Sequence, residues 1–476
     1  MDRLKTRIPD LDLVLGGGLE QGSVVIVAGA PGTGKTVLSQ QIAFANAGPQ
    51  RKAVYCTTFA EPQSKLVRHL EQFDFFDSKA LGVSIDFLHL RDLMGEPGSD
   101  VIPSAFAEMG RVISEENPCV AVLDSAKALR DIISEQHLRA VYYELIGRVA
   151  HTDAVLLLLG EYTPDEMEGS AEFSLADAII ELAYESREPV DRRWLRVHKL
   201  RGGRHLAGKH SVRIDSTGLK VFPRLESLEI DSQSETVQRI NSGVRGLDDI
   251  MGGGMASQDA TVVLGPSGAG KTIFGLGFLQ RALEQGERCL YISFQETGDE
   301  LITKSSHFRW DMKAAREGGR IVIEHIPVGV LDLDVVGAVV RRALESDAIR
   351  RVVVDSLAEM VFAARESERF PAFARSLVGL IRAHGASLIV TSETTTLGPV
   401  AEPAGGLSYL FNNVILLRYI EIGAQIRRAL NIVKMRNSDH EKGVFELVID
   451  DSGISVGERL TNVTGVLGWS ALRSEE

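Results

Sequence analysis

The stretches Gly29-Ala30-Pro31-Gly32-Thr33-Gly34-Lys35-Thr36 and Gly265-Pro266-Ser267-Gly268-Ala269-Gly270-Lys271-Thr272 occur in the same chain. Both match the pattern G-x-x-x-x-G-K-[ST], in which backbone N–H groups cradle phosphates, the lysine reaches the β and γ oxygens, and the hydroxyl binds Mg²⁺. Each follows an apolar run typical of a strand and would begin a helix, whose N-terminus favours an anion. The sequence therefore predicts two nucleoside triphosphate sites, lined by residues up to Val37 and Ile273, with Thr36 and Thr272 as metal ligands.

The bulk composition limits the class of protein. A chain of 476 residues is too long for a single hydrophobic core, and 44% apolar with 25% charged residues is ordinary for a soluble globular protein. A net charge of −13 disfavours a nucleic-acid partner, because phosphate binding needs clustered Lys and Arg. No apolar stretch reaches about 18 residues and the N-terminus lacks a signal-peptide core, so we expect a cytoplasmic protein without a membrane partner. Cys56, Cys119 and Cys289 lie in or beside strand-like runs without metal-binding spacing, which indicates buried thiols in a reducing compartment.

The chain contains an internal repeat that extends well beyond the phosphate loops. Its landmarks keep the same order and nearly the same spacing in both halves. They are Gly16-Gly17-Gly18 and Gly252-Gly253-Gly254, the apolar runs that end at Asp124-Ser125 and Asp355-Ser356, and the basic phrases Lys199-Leu200-Arg201 and Lys434-Met435-Arg436. A polar segment around residues 231–236 separates the halves. We therefore predict a duplicated domain, with units at residues 1–228 and 236–476.

The hydrophobic pattern predicts the fold class of each unit. Short Val/Ile/Leu runs alternate with amphipathic stretches, which favours an α/β fold with a mainly parallel sheet and helices on both of its faces. The last part of each unit differs, because Trp194 to Leu200 and Ala429 to Met435 alternate apolar and polar residues one by one. That alternation indicates antiparallel strands added at one edge of the sheet.

Asp124 and Asp355 each end an apolar strand and are followed by serine. This is the sequence context of a Walker B carboxylate, which orients Mg²⁺ and supports hydrolysis or transfer of a phosphoryl group. A single aspartate in this position is more often a helix cap. Two of them at matching distances from two phosphate loops favour the catalytic interpretation.

With these landmarks, both halves from Thr6 to about Gly457 resemble the KaiC family of clock-related ATPases and autokinases and its wider bacterial and archaeal relatives. The resemblance implies tandem RecA-like P-loop NTPase domains, with ATP and Mg²⁺ bound between the subunits of a homo-oligomeric, hexameric ring. It implies ATPase activity in the first domain, and weak ATPase and Ser/Thr autokinase activity in the second. Signalling or clock-type regulation would follow, for which a KaiB-like protein is a candidate partner.

The resemblance also assigns ATP contacts near the end of each unit. A Lys/Arg pair on an edge strand would clamp the γ-phosphate of a neighbouring subunit, a role comparable to an arginine finger, and the alternative is a solvated basic edge. The residues assigned in this way are Lys199, Leu200, Arg201 and His205 in the first unit, and Arg428, Lys434, Met435, Arg436, Ser438, His440 and Lys442 in the second. Phe308 falls where the family places an aromatic ring over adenine, although an aromatic residue at a helix end can equally belong to the core.

The sequence departs from the family at the catalytic carboxylates. The family has two adjacent glutamates after the second strand, whereas this chain has Ala60-Glu61 and Gln295-Glu296. A general base must lie within hydrogen-bond reach of the attacking oxygen, and neighbouring strand residues point to opposite faces. We therefore expect intact ATP binding with slow hydrolysis that depends on Glu61 and Glu296, while Gln295 could orient a water molecule. The alternative is that both glutamates only cap the next helix.

The phosphorylation segment and the C-terminus also depart from the family. Adjacent Ser and Thr acceptors are replaced here by Ser408 and Tyr409, so we expect any phosphorylation on Ser408. The segment after Gly457 is short, which makes a KaiA-type partner doubtful. Two other functions stay open: an ATP-gated scaffold that does not hydrolyse ATP, favoured by the missing glutamates, and a RecA-like DNA-dependent ATPase, disfavoured by the net acidity.

Overall fold

The fold is described from a computed structural model in which the chain divides into two compact units, residues 1–228 and 229–476. The structure describes residues 2–57, 63–89, 101–127, 135–169, 171–186, 191–230, 237–364, 368–394, 407–422, 425–436 and 438–461.

The first unit alternates strands and helices before ending in four consecutive strands. Its strands are β1 Arg3–Leu4, β2 Leu19–Glu20, β3 Val24–Ala28, β4 Ala53–Thr57, β5 Ile85–His89, β6 Val120–Asp124, β7 Val155–Gly160, β8 Ala178–Glu185, β9 Arg192–Leu200, β10 His210–Asp215 and β11 Gly218–Phe222. Its helices are α1 Leu11–Val14, α2 Lys35–Asn46, α3 Gln63–Leu70, α4 Val101–Glu116, α5 Glu135–Val149, α6 Pro164–Gly169 and α7 Ala171–Leu175, with 3₁₀ turns at Ser78–Ala80 and Leu225–Ser227.

The second unit repeats this order. Its strands are β12 Arg239–Ile240, β13 Met255–Ala256, β14 Ala260–Gly265, β15 Arg288–Ser293, β16 Ile321–His325, β17 Ile349–Asp355, β18 Ser387–Glu393, β19 Asn413–Ile422, β20 Gln425–Met435, β21 Val444–Asp450 and β22 Gly453–Arg459. Its helices are α8 Leu247–Ile250, α9 Lys271–Glu284, α10 Gly298–Ser306, α11 Met312–Glu317, α12 Leu333–Asp347, α13 Leu357–Ala364 and α14 Phe370–Ala383, with 3₁₀ turns at Val328–Val330 and Ser408–Leu410.

The described residues of each unit form one large sheet with the same strand order. In the first unit the order is β5-β4-β6-β7-β3-β8-β9-β10-β11, and in the second it is β16-β15-β17-β18-β14-β19-β20-β21-β22. The six strands from β5 to β8, and from β16 to β19, pair in parallel, whereas the last four strands pair antiparallel. The predicted α/β fold class of tandem, mostly parallel RecA-like domains with antiparallel edge strands is therefore confirmed.

Strand β3 shows why the central strands are apolar at every position. Val25 and Val27 pack into one hydrophobic cluster, with α2, while Val24, Ile26 and Ala28 pack into a second cluster, with α4 and α5. Successive side chains of a strand point to opposite faces, so a strand covered on both faces is a continuous hydrophobic run. The phosphate loop that follows β3 therefore begins from a rigid, fully buried support.

A buried arginine cross-links the second unit. Arg351 on β17 is 1% exposed, yet its guanidinium donates to Glu287 at 2.7 Å, to the Gln285 side chain at 2.8 Å and to the carbonyl of Asn241 at 2.8 Å. It also lies 4.7 Å from the ring centroid of Phe278. A buried charge is tolerated only when it is paired and hydrogen-bonded, and this arginine satisfies both conditions.

The described residues contain no helix that is long and apolar enough to cross a membrane, and no cluster of His, Cys, Asp or Glu suited to hold a metal ion. The three cysteines are buried and none of them forms a disulfide within the described residues. Burial raises the pKa of Cys289 to about 12 and also raises the pKa of Cys119, so these thiols are poor nucleophiles.

Candidate nucleotide-binding sites

Each phosphate loop connects a central parallel strand to a helix. The loop between β3 and α2 ends at Gly34, with a φ of 107°, and the loop between β14 and α9 ends at Gly270, with a φ of 106°. A Cβ atom on Gly34 would lie 2.6 Å from Cδ1 of Ile214, and one on Gly270 would lie 2.7 Å from Cδ1 of Ile449. Ile214 and Ile449 belong to the antiparallel strands β10 and β21. The added edge strands thus pack directly against both phosphate loops, and only glycine fits there.

The two loop lysines are folded back onto their own loops. Lys35 Nζ donates to the carbonyls of Gly29 at 2.8 Å and Ala30 at 3.0 Å, and Lys271 Nζ donates to Gly265 and Pro266, both at 2.8 Å. Burial lowers the pKa of both lysines, and nearby carboxylates oppose this shift. Each site therefore holds a partly desolvated cation that would gain an anionic partner on binding phosphate.

In the first unit, the loop threonine meets the predicted Walker B aspartate. Thr36 Oγ1 donates to Asp124 Oδ2 at 2.9 Å, and the hydroxyl of Tyr55 donates to the same oxygen at 3.0 Å. The Tyr55 hydroxyl also lies 3.2 Å from Ser39 Oγ on α2. Burial raises the pKa of Asp124, and it also raises the pKa of Tyr55 well above its usual value. Tyr55 consequently stays protonated and acts as a permanent donor to the aspartate.

The second unit repeats this cluster. Thr272 Oγ1 donates to Asp355 Oδ2 at 2.9 Å, the hydroxyl of Tyr291 donates to the same oxygen at 2.7 Å, and Thr391 Oγ1 donates to Oδ1. Burial again raises the pKa of the tyrosine well above its usual value. The peptide bond that follows the aspartate, Asp355–Ser356, is cis, as is Asp124–Ser125 in the first unit. The structure therefore brings the predicted loop threonine and aspartate together in both units.

Several residues near the sites were missed by the sequence analysis. Tyr55 and Tyr291 occupy equivalent positions in β4 and β15, where they read as ordinary strand aromatics. Glu161 and Glu393 lie at the carboxyl ends of β7 and β18, and they act more strongly than the Walker B aspartates in opposing the lowered pKa of the loop lysines. Their recurrence at one position of the repeat was the signal that could have identified all four.

The second site opens into a cavity of about 390 Å³. Its wall combines the phosphate loop with the carboxyl ends of β15, β17 and β18, and the lining residues are Ser267, Gly268, Gly270, Lys271, Thr272, Ile273, Ser293, Gln295, Glu296, Lys304, Asp355, Ser356 and Glu393. In a parallel sheet the carboxyl ends of the strands meet at one edge, which is the usual ligand position in this class. The cavity contains most of the second-site residues predicted to lie around the phosphates, including Gln295 and Glu296.

The two predicted catalytic glutamates have different outcomes. Glu61 lies outside the described residues. The Glu296 carboxylate lies 2.5 Å from Lys304 Nζ on α10, and the Glu296 N–H donates to Ser293 Oγ at 3.1 Å. Glu296 does not cap α10, because Thr297 is the N-cap of that helix and forms a capping box with Glu300. The helix-cap alternative for Glu296 is therefore wrong, while its catalytic role stays a prediction.

The basic pair of the first unit contacts the backbone of its own chain. Lys199 Nζ donates to the carbonyls of Phe173 at 3.3 Å and Ser174 at 2.9 Å, at the end of α7. Arg201 donates to Ser174 and lies 3.5 Å from Asp177. Burial lowers the pKa of Lys199, and the nearby Arg201 charge adds to this effect. The pair holds the turn before β8, and a contact with a second subunit stays a prediction.

The basic pair of the second unit holds the predicted phosphorylation segment. Lys434 Nζ donates to the carbonyls of Ser408 at 2.8 Å and Phe411 at 2.9 Å, and Arg436 donates to the carbonyl of Tyr409 at 3.0 Å. Burial lowers the pKa of Lys434, with a smaller contribution from Arg436. The lysine of both units thus contacts the turn that precedes the same strand of the sheet.

Arg428 contacts the second phosphate loop, whereas Phe308 follows α10. Arg428 Nε donates to the carbonyl of Gly268 in the phosphate loop at 3.3 Å, and its guanidinium lies 5.8 Å from the ring centroid of Tyr419. Phe308 packs against Trp310, with 4.9 Å between their ring centroids, and it is half-buried. Phe308 is therefore part of an aromatic pair, and its contact with adenine stays a prediction.

The other residues assigned by resemblance lie at the end of β9 or β20 or in the loop that follows that strand. Leu200 and Met435 are partly buried and pack against the hydrophobic clusters of their units. Ser438 Oγ accepts a hydrogen bond from Arg239 at 2.8 Å and donates to the carbonyl of Met251 at 3.3 Å. His205 and His440 are half-buried and Lys442 is exposed. A nucleotide contact of these residues stays a prediction.

The chemistry of both sites fits a nucleotide with magnesium. Mg²⁺ prefers oxygen ligands and is usually held by one or two protein oxygens, phosphate oxygens and water. The hydroxyl of Thr36 with the carboxylate of Asp124, and that of Thr272 with the carboxylate of Asp355, supply such oxygens beside a phosphate-binding loop. The loop lysines supply the positive charge for the phosphates.

Comparison with known proteins identifies a family of ATPases. The family model described as "ATPase: KaiC" matches residues 4–226 and again residues 240–461. The chain is 26% identical to the circadian clock protein KaiC3 of Synechocystis sp. over 490 aligned residues. This alignment covers 99% of this chain and 95% of that protein. The chain is 25% identical to the circadian clock oscillator protein KaiC of Picosynechococcus sp., with 99% and 93% covered, and 23% identical to that of Synechococcus elongatus, with 99% and 92% covered. Because the family model matches both units, the resemblance is confirmed, and the chain belongs to the KaiC family of ATPases.

Proposed function

We propose that this protein binds one Mg·ATP in each unit and hydrolyses ATP slowly. The observation that carries the proposal is the hydrogen bond of 2.9 Å between loop threonine and Walker B aspartate, present in both units. Thr36 with Asp124, and Thr272 with Asp355, would hold Mg²⁺, which supplies charge stabilisation for the phosphates. Lys35 would exchange its loop carbonyls for β and γ oxygens.

Substitution of the loop lysines tests the binding part of the proposal. The parent protein should retain two nucleotides per chain in the presence of Mg²⁺, Lys35→Ala and Lys271→Ala should each retain one, and the double variant none, as counted after rapid desalting. Lys313→Ala is the matched control, because Lys313 is an exposed lysine of α11 that is assigned to neither site. Two nucleotides bound by the double variant would refute the assignment of the loops.

The hydrolytic part depends on Glu61 and Glu296. Glu296 lines the second cavity, and its ion pair with Lys304 must open before the carboxylate can accept a proton, which supports a low rate. Steady-state turnover of a Glu61→Gln/Glu296→Gln double variant should fall by about 10²-fold or more, the typical contribution of a general base. Unchanged turnover with intact nucleotide binding would exclude both glutamates from the mechanism.

The autokinase part concerns Ser408. Its position in the 3₁₀ turn before β19 places it on the segment held by Lys434 and Arg436, beside the basic pair expected to bind γ-phosphate. Peptide mass spectrometry after incubation with Mg·ATP should locate phosphate on Ser408, and Ser408→Ala should abolish it. Tyr409→Phe is the control, since that substitution leaves the serine in place. Phosphate found only on another residue would contradict this part.

The protein would assemble into a homohexamer with ATP bound between its subunits, and a KaiB-like protein would regulate it. Support comes from the basic pairs, which lie at the ends of β9 and β20 and contact the end of α7 and the turn before β19. Chromatographic sizing should give a hexamer with ATP and smaller species with ADP. Arg201→Ala and Arg436→Ala should weaken the hexamer without removing the loop contacts to nucleotide.

A second candidate function is an ATP-gated scaffold. It is favoured by Ala60, which stands in the first unit where the family has a carboxylate. A chain that binds two nucleotides and assembles with ATP, yet shows no turnover above the Lys35→Ala/Lys271→Ala background, would be a scaffold of this kind.

A further inference from the structure

A hydrogen-bonded side-chain pair lies beside the phosphate loop of the second unit. Gln295, which follows β15, lines the cavity, and its Nε2 donates to Oε1 of Glu359. Glu359 lies in the first turn of α13 and is half-buried. Its other oxygen, Oε2, accepts a hydrogen bond from Ser356 Oγ, which also lines the cavity. Glu359 is therefore held at both oxygens, and it in turn fixes the carboxamide of Gln295.

The direction of this hydrogen bond defines which groups of the Gln295 carboxamide are left to contact water. A carboxamide has two N–H donors and one carbonyl acceptor. Because one N–H of Gln295 is bound to an anionic acceptor, its second N–H and its carbonyl oxygen are left, and the carbonyl oxygen can accept a hydrogen bond from water. Hydrogen bonds to a carboxylate are stronger than those between neutral groups, so the orientation is well defined. The Glu359 charge also reaches Lys271, where it opposes the burial that lowers the pKa of the lysine.

Comparison of the two units shows that Gln295 and Glu359 are both absent from the equivalent positions of the first unit. Ala60 precedes Glu61 as Gln295 precedes Glu296, and Ala128 follows Asp124 at the same spacing as Glu359 follows Asp355. Both positions are therefore alanine in the first unit, and both carry hydrogen-bonding side chains in the second. Glutamine and glutamate at these two positions are therefore features of the second unit alone.

We propose that Gln295 and Glu359 act as one unit that positions the attacking water in the second site, and that ATP hydrolysis by this chain is concentrated there. Gln295 contacts the water, and Glu359 is a positioning residue that acts through Gln295. The water oxygen forms a bond to the γ-phosphorus while the bond to the β–γ bridging oxygen breaks. ADP leaves with that electron pair, and the water proton passes to the Glu296 carboxylate, the base of the proposed function. This inference rests on the proposed ATPase function.

The test uses full-length protein carrying Lys35→Ala, so that only the second site binds ATP. In this background Gln295→Ala and Glu359→Ala should each lower kcat by about 10²-fold, the loss expected when a reacting group is misplaced. The double variant should be no slower than either single variant, because groups that act as a unit are non-additive. The KM for ATP and the number of bound nucleotides should stay unchanged, and Glu324→Ala, at an exposed glutamate of β16, should behave like the parent.

A charge exchange separates positioning from a merely structural role. Gln295→Glu alone places two carboxylates side by side, whose repulsion should leave turnover low. The exchanged variant Gln295→Glu/Glu359→Gln restores one amide donating to one carboxylate, and its turnover should return at least to that of the parent. Because the exchange would also restore a merely structural contact, the denaturation midpoint is measured beside turnover, and turnover that only follows the midpoint would refute the positioning role.

The outcomes distinguish this inference from the proposed function. If the Lys35→Ala protein binds no nucleotide, the proposed function itself is wrong and this inference falls with it. If the Lys35→Ala protein binds and hydrolyses ATP, but the kcat of Glu359→Ala in this background stays within about twofold of the parent value, only the proposed role of the Gln295–Glu359 pair is refuted. If it binds ATP without turnover while Lys271→Ala protein hydrolyses it, hydrolysis belongs to the first unit and the inference is wrong.

Discussion

Tyr291→Phe removes a single buried oxygen from the second site, and its consequences can be derived from the structure. The Tyr291 ring is fully buried in β15, so phenylalanine preserves its packing. Only the hydroxyl is lost, together with its hydrogen bond of 2.7 Å to Asp355 Oδ2. The substitution therefore isolates the role of a donor that holds Asp355, the carboxylate proposed to orient the metal.

The expected loss of stability is modest and the expected loss of metal affinity is larger. Asp355 keeps the hydroxyls of Thr272 and Thr391 as donors, so we expect the lower end of the range for a bond to a charged group, about 1.5 kcal/mol of unfolding free energy. Residues that orient a metal-binding side chain typically change metal affinity by about 10–100-fold. The Mg²⁺ concentration for half-maximal ATP binding should therefore rise by at least about tenfold.

The assay is a Mg²⁺ titration of ATP binding in the Lys35→Ala background, combined with chemical denaturation of nucleotide-free protein. Tyr143→Phe is the matched control, because the Tyr143 ring is 62% exposed on α5 and its hydroxyl removal should change stability by less than about 0.5 kcal/mol. An unchanged Mg²⁺ requirement together with an unchanged denaturation midpoint would refute the idea that Tyr291 orients Asp355.

Three further predictions concern pH, a buried charge and a loop glycine. Burial raises the pKa of Asp124, so the folded chain binds a proton at this carboxylate more tightly than the unfolded chain does. The free energy of unfolding should therefore rise as pH falls through the raised pKa. Asp124→Asn should remove this pH dependence, as measured by urea titrations of nucleotide-free protein. Arg351→Met should cost about 3 kcal/mol by denaturation because it leaves a partly buried carboxylate without its partner, whereas exposed Arg350→Met should cost less than about 0.5 kcal/mol. Gly34→Ala should lower the free energy of unfolding by at least about 2 kcal/mol, because residue 34 has a positive φ and the added Cβ would clash with Ile214. Adding Ile214→Val should recover only the part of this loss that comes from the clash.

The overall fold was predictable because its signals are local and repeated. The apolar runs of β3 and β14, the loop motifs and the residue-by-residue alternation of β9 and β20 each have a period or a spacing that one element requires. The repeat allowed every landmark to be checked against a second copy. Strand order was not readable in this way, because β3 pairs with β7 and β8, both more than a hundred residues away in sequence.

The sites were predictable only where a residue belongs to a motif. Lys35 and Thr36 were identified by the phosphate-loop pattern, and Asp124 by its place after an apolar strand. Tyr55 and Glu161 were not identified, since a tyrosine in a strand and a glutamate after one have no distinctive sequence context. Their proximity to the loop exists only because β4, β6 and β7 end at the same edge of the sheet.

The sequence by itself determined that this protein has two phosphate-binding units of one fold family, and that the first of the two family glutamates is absent from both. Those properties depend on residue identity and on spacing along the chain. Only the tertiary structure decided that tyrosines hold the Walker B aspartates, that the basic pairs contact the turns before β8 and β19, and that Gln295 meets Glu359. The physical reason is that these contacts join side chains from different strands and helices, and their distances are set by how the sheet brings its strand ends together.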